Sequence, residues 1–222
     1  LGSRRSVETV IAHGRVTVNG QRAVLGTKVD PSKDRVEVDG SYIPLQPELI
    51  YLLMNKPAGV VTTTADPEGR ETVLEVIEAE GRVWPVGRLD IATEGALVVT
   101  NDGELTHRLT HPSFGIAKTY LAEVGGNVSS AELKTLARGV ELSDGVTAPA
   151  TVHLLDRRPG ATLVEITIRE GRNRQVRRMF EATGHRVQRL VRTAIGPVAL
   201  GRLKTGTARR LTPEEVRALY RA

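Results

Sequence analysis

Between Pro85 and Gly103 the chain reads Pro-Val-Gly-Arg-Leu-Asp-Ile-Ala-Thr-Glu-Gly-Ala-Leu-Val-Val-Thr-Asn-Asp-Gly. The apolar run from Ala96 to Val99, closed by the turn-forming Asn101-Asp102-Gly103, reads as a buried strand and its exit. Ahead of it lies a loop that begins with Gly87-Arg88-Leu89-Asp90 and ends with Glu94-Gly95. An acid on a loop held between apolar segments is a candidate for chemistry, because rigid strands on both sides fix where its carboxylate points. Taken alone, Gly-Arg-Leu-Asp is read more simply as a loop-capping Asp.

A chain of 222 residues can bury one good core and carry a small appended domain. Its 40% hydrophobic and 26% charged residues are those of an ordinary soluble protein, which excludes the disordered and membrane classes. No apolar run approaches the roughly 18 residues of a membrane span, and Leu1 to Arg5 is no signal peptide, so a cytoplasmic location is expected. The absence of Cys excludes disulfides, iron–sulfur clusters and thiolate zinc. His13, His107, His111, His153 and His185 show no metal-ligand spacing, and no metal is expected.

The net charge is +5, and Arg supplies 25 of the 31 basic residues. Guanidinium groups pair bidentately with phosphate and release counterions, so the composition suggests a polyanionic partner over a merely solvated basic surface. Distribution supports this, with eight Arg between Arg169 and Arg192 against only Glu170 and Glu181. With seven aromatic residues in the chain, phosphate and shape contacts are expected to dominate over base stacking.

In chain order, Ser3 to His13 reads as a short helix with Ser3 as N-cap and Gly14 as stop. Arg15 to Gln21 is a strand turning at Asn19-Gly20, and Asp34 to Gly40 is another. Tyr42 to Glu48, with Pro44 and Pro47, reads as a linker. The expected division is a module at 1–41, a linker at 42–48 and a larger domain at 49–222. A helix and two or three strands carrying Arg4, Arg5 and Arg15 are too small for an enzyme and suit a basic recognition module.

In the larger domain, strands are expected at Ile50 to Met54, Val60 to Thr62, Lys118 to Val124, Thr147 to Leu155, Thr162 to Arg169 and Arg186 to Arg192. Asn55-Lys56-Pro57 is expected to turn. Helices are expected at Glu71 to Ile77, at Glu104 to Thr110, after the capping boxes Ser129–Glu132 and Thr212–Glu215, and from Asn173 as N-cap to Gly184 as stop. In the helix opened by Asn173, Val176, Met179, Phe180 and Thr183 cluster, while Arg174 and Arg178 fall on the opposite side and suit phosphate. Arg177 lies at the boundary and can reach along the buried rim. Tyr120 shares a strand face with Ala122 and Val124, which by pattern alone favours a core aromatic. Many strands with interspersed helices imply an α+β domain, its helices packed on one mixed, largely antiparallel sheet.

Gly-Arg-Leu-Asp90, Thr-Glu-Gly95, the apolar strand and Thr-Asn-Asp-Gly-Glu-Leu105 together resemble the catalytic motif of the RsuA/RluB family of ribosomal RNA pseudouridine synthases. Asn55-Lys-Pro-Ala-Gly-Val resembles that family's first motif, which packs beneath the active-site loop. Lys118-Thr-Tyr120 resembles its Lys/Glu-x-Tyr strand, and Gly171-Arg-Asn-Arg-Gln-Val-Arg-Arg its third motif. Arg189-Leu-Val-Arg192 with Ile195-Gly196 is similar to a further shared stretch. Over residues 1 to about 40, Ser-Arg-Arg5, Gly-Arg-Val-Thr-Val-Asn-Gly20 and Leu-Gly-Thr-Lys-Val-Asp-Pro31 resemble the RNA-binding domain named after ribosomal protein S-four. The chain starts where that domain's first helix should already have ended, so the expected domain lacks it.

The resemblance implies isomerisation of uridine to pseudouridine without a cofactor. It implies Asp90 as the catalytic nucleophile, Tyr120 packed on the target base, and Arg177 paired with Asp90. Arg4, Arg5, Arg15, Arg88, Arg172, Arg174, Arg178, Arg189 and Arg192 are expected to bind RNA. Lys56, Pro57 and Glu94 are expected to be structural. The run from Asp102 to Ser113 resembles the branch acting on large-subunit ribosomal RNA, and the small-subunit branch is the near alternative. The implied partner is ribosomal RNA, free or in an assembling particle, bound by a monomer. A catalytically idle ribosome-associated protein would need no acid in its cleft, and a glycosidase would need a second acid, for which only Glu94 is local.

Overall fold

The computed structural model describes residues 4–44, 48–77 and 81–222, with Arg4 described by its backbone alone. The chain divides into two compact units, Leu1–Glu48 and Leu49–Ala222. Among the described residues no helix is long and apolar enough to cross a membrane.

In the first unit α1 (Arg4–Ala12) precedes β1 (Val16–Val18), β2 (Gln21–Arg22), β3 (Val36–Val38) and β4 (Ser41–Ile43), in sheet order β2-β1-β3-β4. Both tight hairpins use a left-handed pair, Asn19-Gly20 and Asp39-Gly40, whose backbone twist matches that of the flanking strands. Val16, Ala23, Val36 and Val38 form a small core against Val10 and Ile11 of α1. β4 continues the sheet through Ile43, past the expected start of the linker at Tyr42, because the Asp39-Gly40 turn sets Tyr42 opposite Glu37. The expected N-cap Ser3 and residues 45–47 of the linker lie outside the described residues.

The second unit begins with β5 (Tyr51–Lys56), α2 (Val73–Val76), β6 (Trp84–Pro85), β7 (Thr93–Thr100) and α3 (Gly103–Thr110). It continues with β8 (Lys118–Gly125), α4 (Ser130–Arg138), β9 (Glu141–Leu142), β10 (Gly145–Val146), β11 (Thr151–Arg158) and β12 (Ala161–Ile168). It ends with α5 (Gln175–Ala182), β13 (Val187–Ile195), β14 (Val198–Ala199), β15 (Ala208–Arg210) and α6 (Pro213–Arg221). Among the described residues nine strands make one sheet, ordered β11-β12-β8-β13-β7-β5-β15, with β6 on β7 and β14 on β13. Only the central β7–β13 pair is parallel, so the sheet is mixed and largely antiparallel, as the sequence implies.

Alternation along β7 sorts the core. Leu97 and Val99 face one cluster with Met54, Tyr120 and Phe180, while Ala96 and Val98 face the other with Leu53, Leu105 and Leu219. A strand covered on both faces needs apolar residues at every position, which is why Ala96 to Val99 is unbroken. Asp102 ends this run and caps α3, accepting from the Glu104 and Leu105 N–H groups and from the Tyr51 and Tyr220 hydroxyls. The capping boxes read at Ser129 and Thr212 are both formed, at the starts of α4 and α6.

Some local expectations differ. β5 runs through Asn55 and Lys56, because its pairing with β7 extends to Lys56 opposite Gly95. Val60 to Thr62 contributes a single bridge, Val61 to Thr72, in place of a strand. β11 starts at Thr151, since Thr147 is taken up in bonds to Val140, its N–H donating to the carbonyl and its hydroxyl accepting from the amide. α5 starts after Arg174, which caps it in the left-handed region at φ 48° with no side-chain cap, so Asn173 is not the N-cap.

Candidate active site

Parallel pairing of β7 with β13 sets Leu190, Val191 and Arg192 beside Thr93, Glu94 and Gly95. Gly95 sits at φ 107°, and a Cβ there would lie 2.2 Å from the Arg192 carbonyl oxygen. Only glycine permits this approach. The neighbouring Glu94 carboxylate accepts two 2.8 Å bonds from Arg189, whose guanidinium draws its pKa below the ordinary value. The exit of the Asp90 loop is thereby fixed to β13.

The loop itself is held by its backbone, and each carbonyl from Leu89 to Thr93 has a donor. Thr62 Oγ1 donates to Leu89 O at 2.8 Å and accepts from the Leu89 amide. The Thr93 amide donates to Asp90 O and the Gly59 amide to Ile91 O. Arg177 donates to Ala92 O at 3.0 Å. Lys56 Nζ reaches Asp90 O, Ile91 O and Thr93 O at 3.0–3.4 Å, and Pro57 O at 2.9 Å. Lys56 is fully buried, and burial pushes its pKa down to about 8 against the opposing pull of Asp90 and Glu94. Five successive carbonyls so anchored leave the half-buried Asp90 side chain projecting from a fixed backbone.

Arg177 is buried on α5, as its boundary position implies. Its terminal nitrogens donate to Val187 O and Ala92 O, at 3.1 and 3.0 Å, and its Nε has no partner. The expected direct ion pair with Asp90 is therefore not formed, since the guanidinium is committed to those carbonyls. Burial and the charge of Arg174 lower the Arg177 pKa, and the nearby Asp90 carboxylate raises it.

Asp90 and Tyr120 line one cavity of about 400 Å³. The face of β12, β8 and β13 makes its floor, through Ile168, Lys118, Tyr120 and Arg192. The Asp90 loop forms one wall, and the stretch from Gly171 to Val176 forms another. Tyr120 is 9% exposed, and its hydroxyl makes no hydrogen bond to another described residue. Five cations, Arg88, Lys118, Arg172, Arg174 and Arg192, surround the single carboxylate of Asp90.

The remaining arginines divide by partner. Arg88 and Arg174 are exposed at the cavity and make no side-chain bond among the described residues. Arg172 bonds Glu170 and the carbonyls of Gly145 and Val146, and Arg178 pairs with Asp144. These two clamp the β9–β10 hairpin to the start of α5. In the first unit Arg5 is exposed and Arg15 is paired with Asp39; the Arg4 side chain lies outside the described residues. Sequence reasoning missed the loop-holding work of Thr62 and the charge of Lys56. The available signal was a lysine following the apolar run Leu52-Leu53-Met54. Among the described residues, no three His, Asp or Glu side chains gather where they could hold a metal ion.

A family model described as RNA pseudouridylate synthase matches residues 50–182, and an S4 domain model matches residues 1–40. An uncharacterised RNA pseudouridine synthase of Mycobacterium tuberculosis is 46% identical over 227 residues, covering all of this chain and 89% of that one. Ribosomal large subunit pseudouridine synthase B of Bacillus subtilis is 44% identical over 223 residues, covering 99% and 91%. A solved pseudouridylate synthase superposes with a TM-score of 0.73 at 31% identity, covering 98% of this chain and 94% of its own. With a loop-borne carboxylate facing a tyrosine across a basic cavity, and with similarity running through both units, the chain belongs to the RNA pseudouridylate synthase family.

Proposed function

We propose that this protein converts one uridine of large-subunit ribosomal RNA to pseudouridine, with Asp90 as nucleophile. The observation that carries this reading is Asp90 itself: among the residues lining the cavity it is the only carboxylate, and each carbonyl from Leu89 to Thr93 is tethered. The choice of large-subunit RNA rests on the relatives that carry that name, in Bacillus subtilis, Haemophilus influenzae and Pseudomonas aeruginosa.

Isomerisation detaches uracil from the sugar, turns it, and rejoins it through carbon 5, so it needs no energy source or cofactor. Asp90 attacks the sugar or the base; Tyr120 stacks on the loose uracil; and the apolar lining residues Leu89, Ile168, Val176 and Leu190 keep water from the intermediate. Arg177 acts as a positioning residue, holding Ala92 O and lending its charge to Asp90 from a distance. The uridine must leave its helical stack at a cost of a few kcal/mol. Arg88 and Arg174 at the cavity, and the basic first unit, contribute phosphate contacts that offset it. The protein acts as a monomer in the cytoplasm, on free RNA or on an assembling particle.

The test is pseudouridine mapping of ribosomal RNA in cells lacking the protein, complemented with wild type or Asp90→Asn. One large-subunit position that returns only with wild type is the expected result. Full restoration by Asp90→Asn would falsify the nucleophile assignment, and a small-subunit position would correct the substrate. No change at any position would leave an RNA-binding protein without activity.

A further inference from the structure

Two of the cavity's cations stand apart from the rest. Lys118 and Arg192 lie on its floor, on adjacent strands, and Arg192 is the cross-strand partner of Tyr120 while Lys118 precedes Tyr120 by two residues on the same strand face. Arg192 is 4% exposed, and its Nε donates to Ala96 O at 2.7 Å. Its Nη2 is buried with no partner, and so is the hydroxyl of Thr93, which also lines the cavity. Lys118 has no hydrogen-bond partner among the described residues; burial, and then the charge of Arg192, lower its pKa. Cations left unpaired on the floor of this cavity await acceptors from outside the chain, because a native fold rarely leaves buried donors unmet.

Two kinds of acceptor come with a polynucleotide, phosphate oxygens and the keto oxygens of the base. Geometry separates them. The phosphodiester chain continues in both directions and must pass the cavity mouth, where Arg88 and Arg174 are exposed. Only the base can descend to a floor set under about 400 Å³ of space. We propose that Lys118 and Arg192 receive the keto oxygens of the target uracil, selecting it against cytosine and stabilising the anion the reaction makes of it. This rests on the reading of the cavity as a uridine site.

The selection follows from donor and acceptor types. Lysine and arginine only donate, so they match the 4-keto oxygen of uracil and oppose the 4-amino group of cytosine, which also donates. The catalytic part follows from the electrons. When Asp90 attacks carbon 1′, the C1′–N1 bond breaks and its electron pair leaves with the base as a uracil anion, its charge shared by the two keto oxygens. The turned base then attacks carbon 1′ through carbon 5, releasing the Asp90 carboxylate. Carbon 5 loses its proton to solvent and N1 gains one. Attack of Asp90 on carbon 6 of the base instead drives the C5–C6 electron pair onto the 4-keto oxygen. Either route increases negative charge where Lys118 and Arg192 stand, so they bind the transition state more tightly than the substrate.

The experiment uses the full chain and Lys118→Gln, a neutral side chain of similar length that both donates and accepts. Binding of UMP and CMP is measured by NMR titration, which needs no catalysis. Wild type should prefer UMP by about tenfold, and Lys118→Gln should bring that ratio near one. Turnover on ribosomal RNA should fall at least tenfold in kcat with KM nearly unchanged, Lys118→Arg should recover most of it, and Arg210→Gln, exposed and away from the cavity, should change neither readout. A UMP preference that survives Lys118→Gln, or a loss confined to KM, overturns the proposal. If no ribosomal position proves to be modified but the UMP preference depends on Lys118, the base site stands and the assigned reaction falls.

Discussion

Lys56→Met separates what the buried lysine does for the loop from what it does for the fold. The charge is costly where it sits. With its pKa lowered from 10.5 to about 8, the folded state binds fewer protons than the unfolded state between those values, so stability rises with pH across that window. At about 1.4 kcal/mol per pH unit, the burden present below pH 8 and relieved by pH 10.5 is about 3 kcal/mol. Methionine keeps the length and removes that burden. Against this, Pro57 O and Thr93 O lose the donor that the lysine supplies, at about 1–3 kcal/mol each, while Asp90 O and Ile91 O keep those from the Thr93 and Gly59 amides. The two effects oppose each other, so guanidinium unfolding at pH 7 should change by less than about 3 kcal/mol. The loop nevertheless loses its shared anchor, and a displacement near 1 Å at the reacting carboxylate costs about 100-fold in rate. The expected variant is folded, within about 3 kcal/mol of wild type at pH 7, about 100-fold slower in turnover, and with a smaller stability rise between pH 8 and 10.5. Wild-type turnover in Lys56→Met, or a rise with pH that is undiminished without the lysine, refutes the reasoning.

Two further outcomes follow from the same contacts. Gly95→Ala drives a Cβ to 2.2 Å from the Arg192 backbone at an unfavourable φ, so thermal unfolding should show a loss of more than about 3 kcal/mol with activity falling in parallel. Arg174→Gln should reduce the salt dependence of RNA binding by about one phosphate contact, whereas Arg178→Gln, whose guanidinium is already paired with Asp144, should reduce it by less than half as much in the same titration.

The parts of the fold legible in the sequence are those in which one residue's local chemistry decides the outcome. Ser129 and Thr212 open helices because a hydroxyl and a Glu three residues later satisfy the first-turn amides whatever surrounds them. The alternating pattern of β8 and β12 survives because each is covered on one face by the same core cluster. The errors fall where a distant partner decides. Asn55-Lys56 has the composition of a turn, yet pairing with Ala96 and Gly95 keeps it in β5. At α5 a competing local bond decides instead: Asn173 is the better cap by composition, but Gln175 accepts from the Arg172 amide and the helix begins after a left-handed Arg174.

The same distinction governs the site. Composition shows that arginine is abundant between Arg169 and Arg192, but charge alone cannot say which guanidinium is left over for a ligand. That depends on acids and carbonyls brought from elsewhere: Asp144 takes Arg178, Glu94 takes Arg189, and Val187 O with Ala92 O take Arg177. Arg88 and Arg174 keep their donors, and Arg192 keeps one terminal nitrogen. The arginines consumed internally hold the hairpin, the loop exit and the loop carbonyls, so under the proposed function their part is to set geometry. Neutralising one of them should alter kcat before it alters the salt dependence of binding, the reverse of the order expected for a phosphate contact.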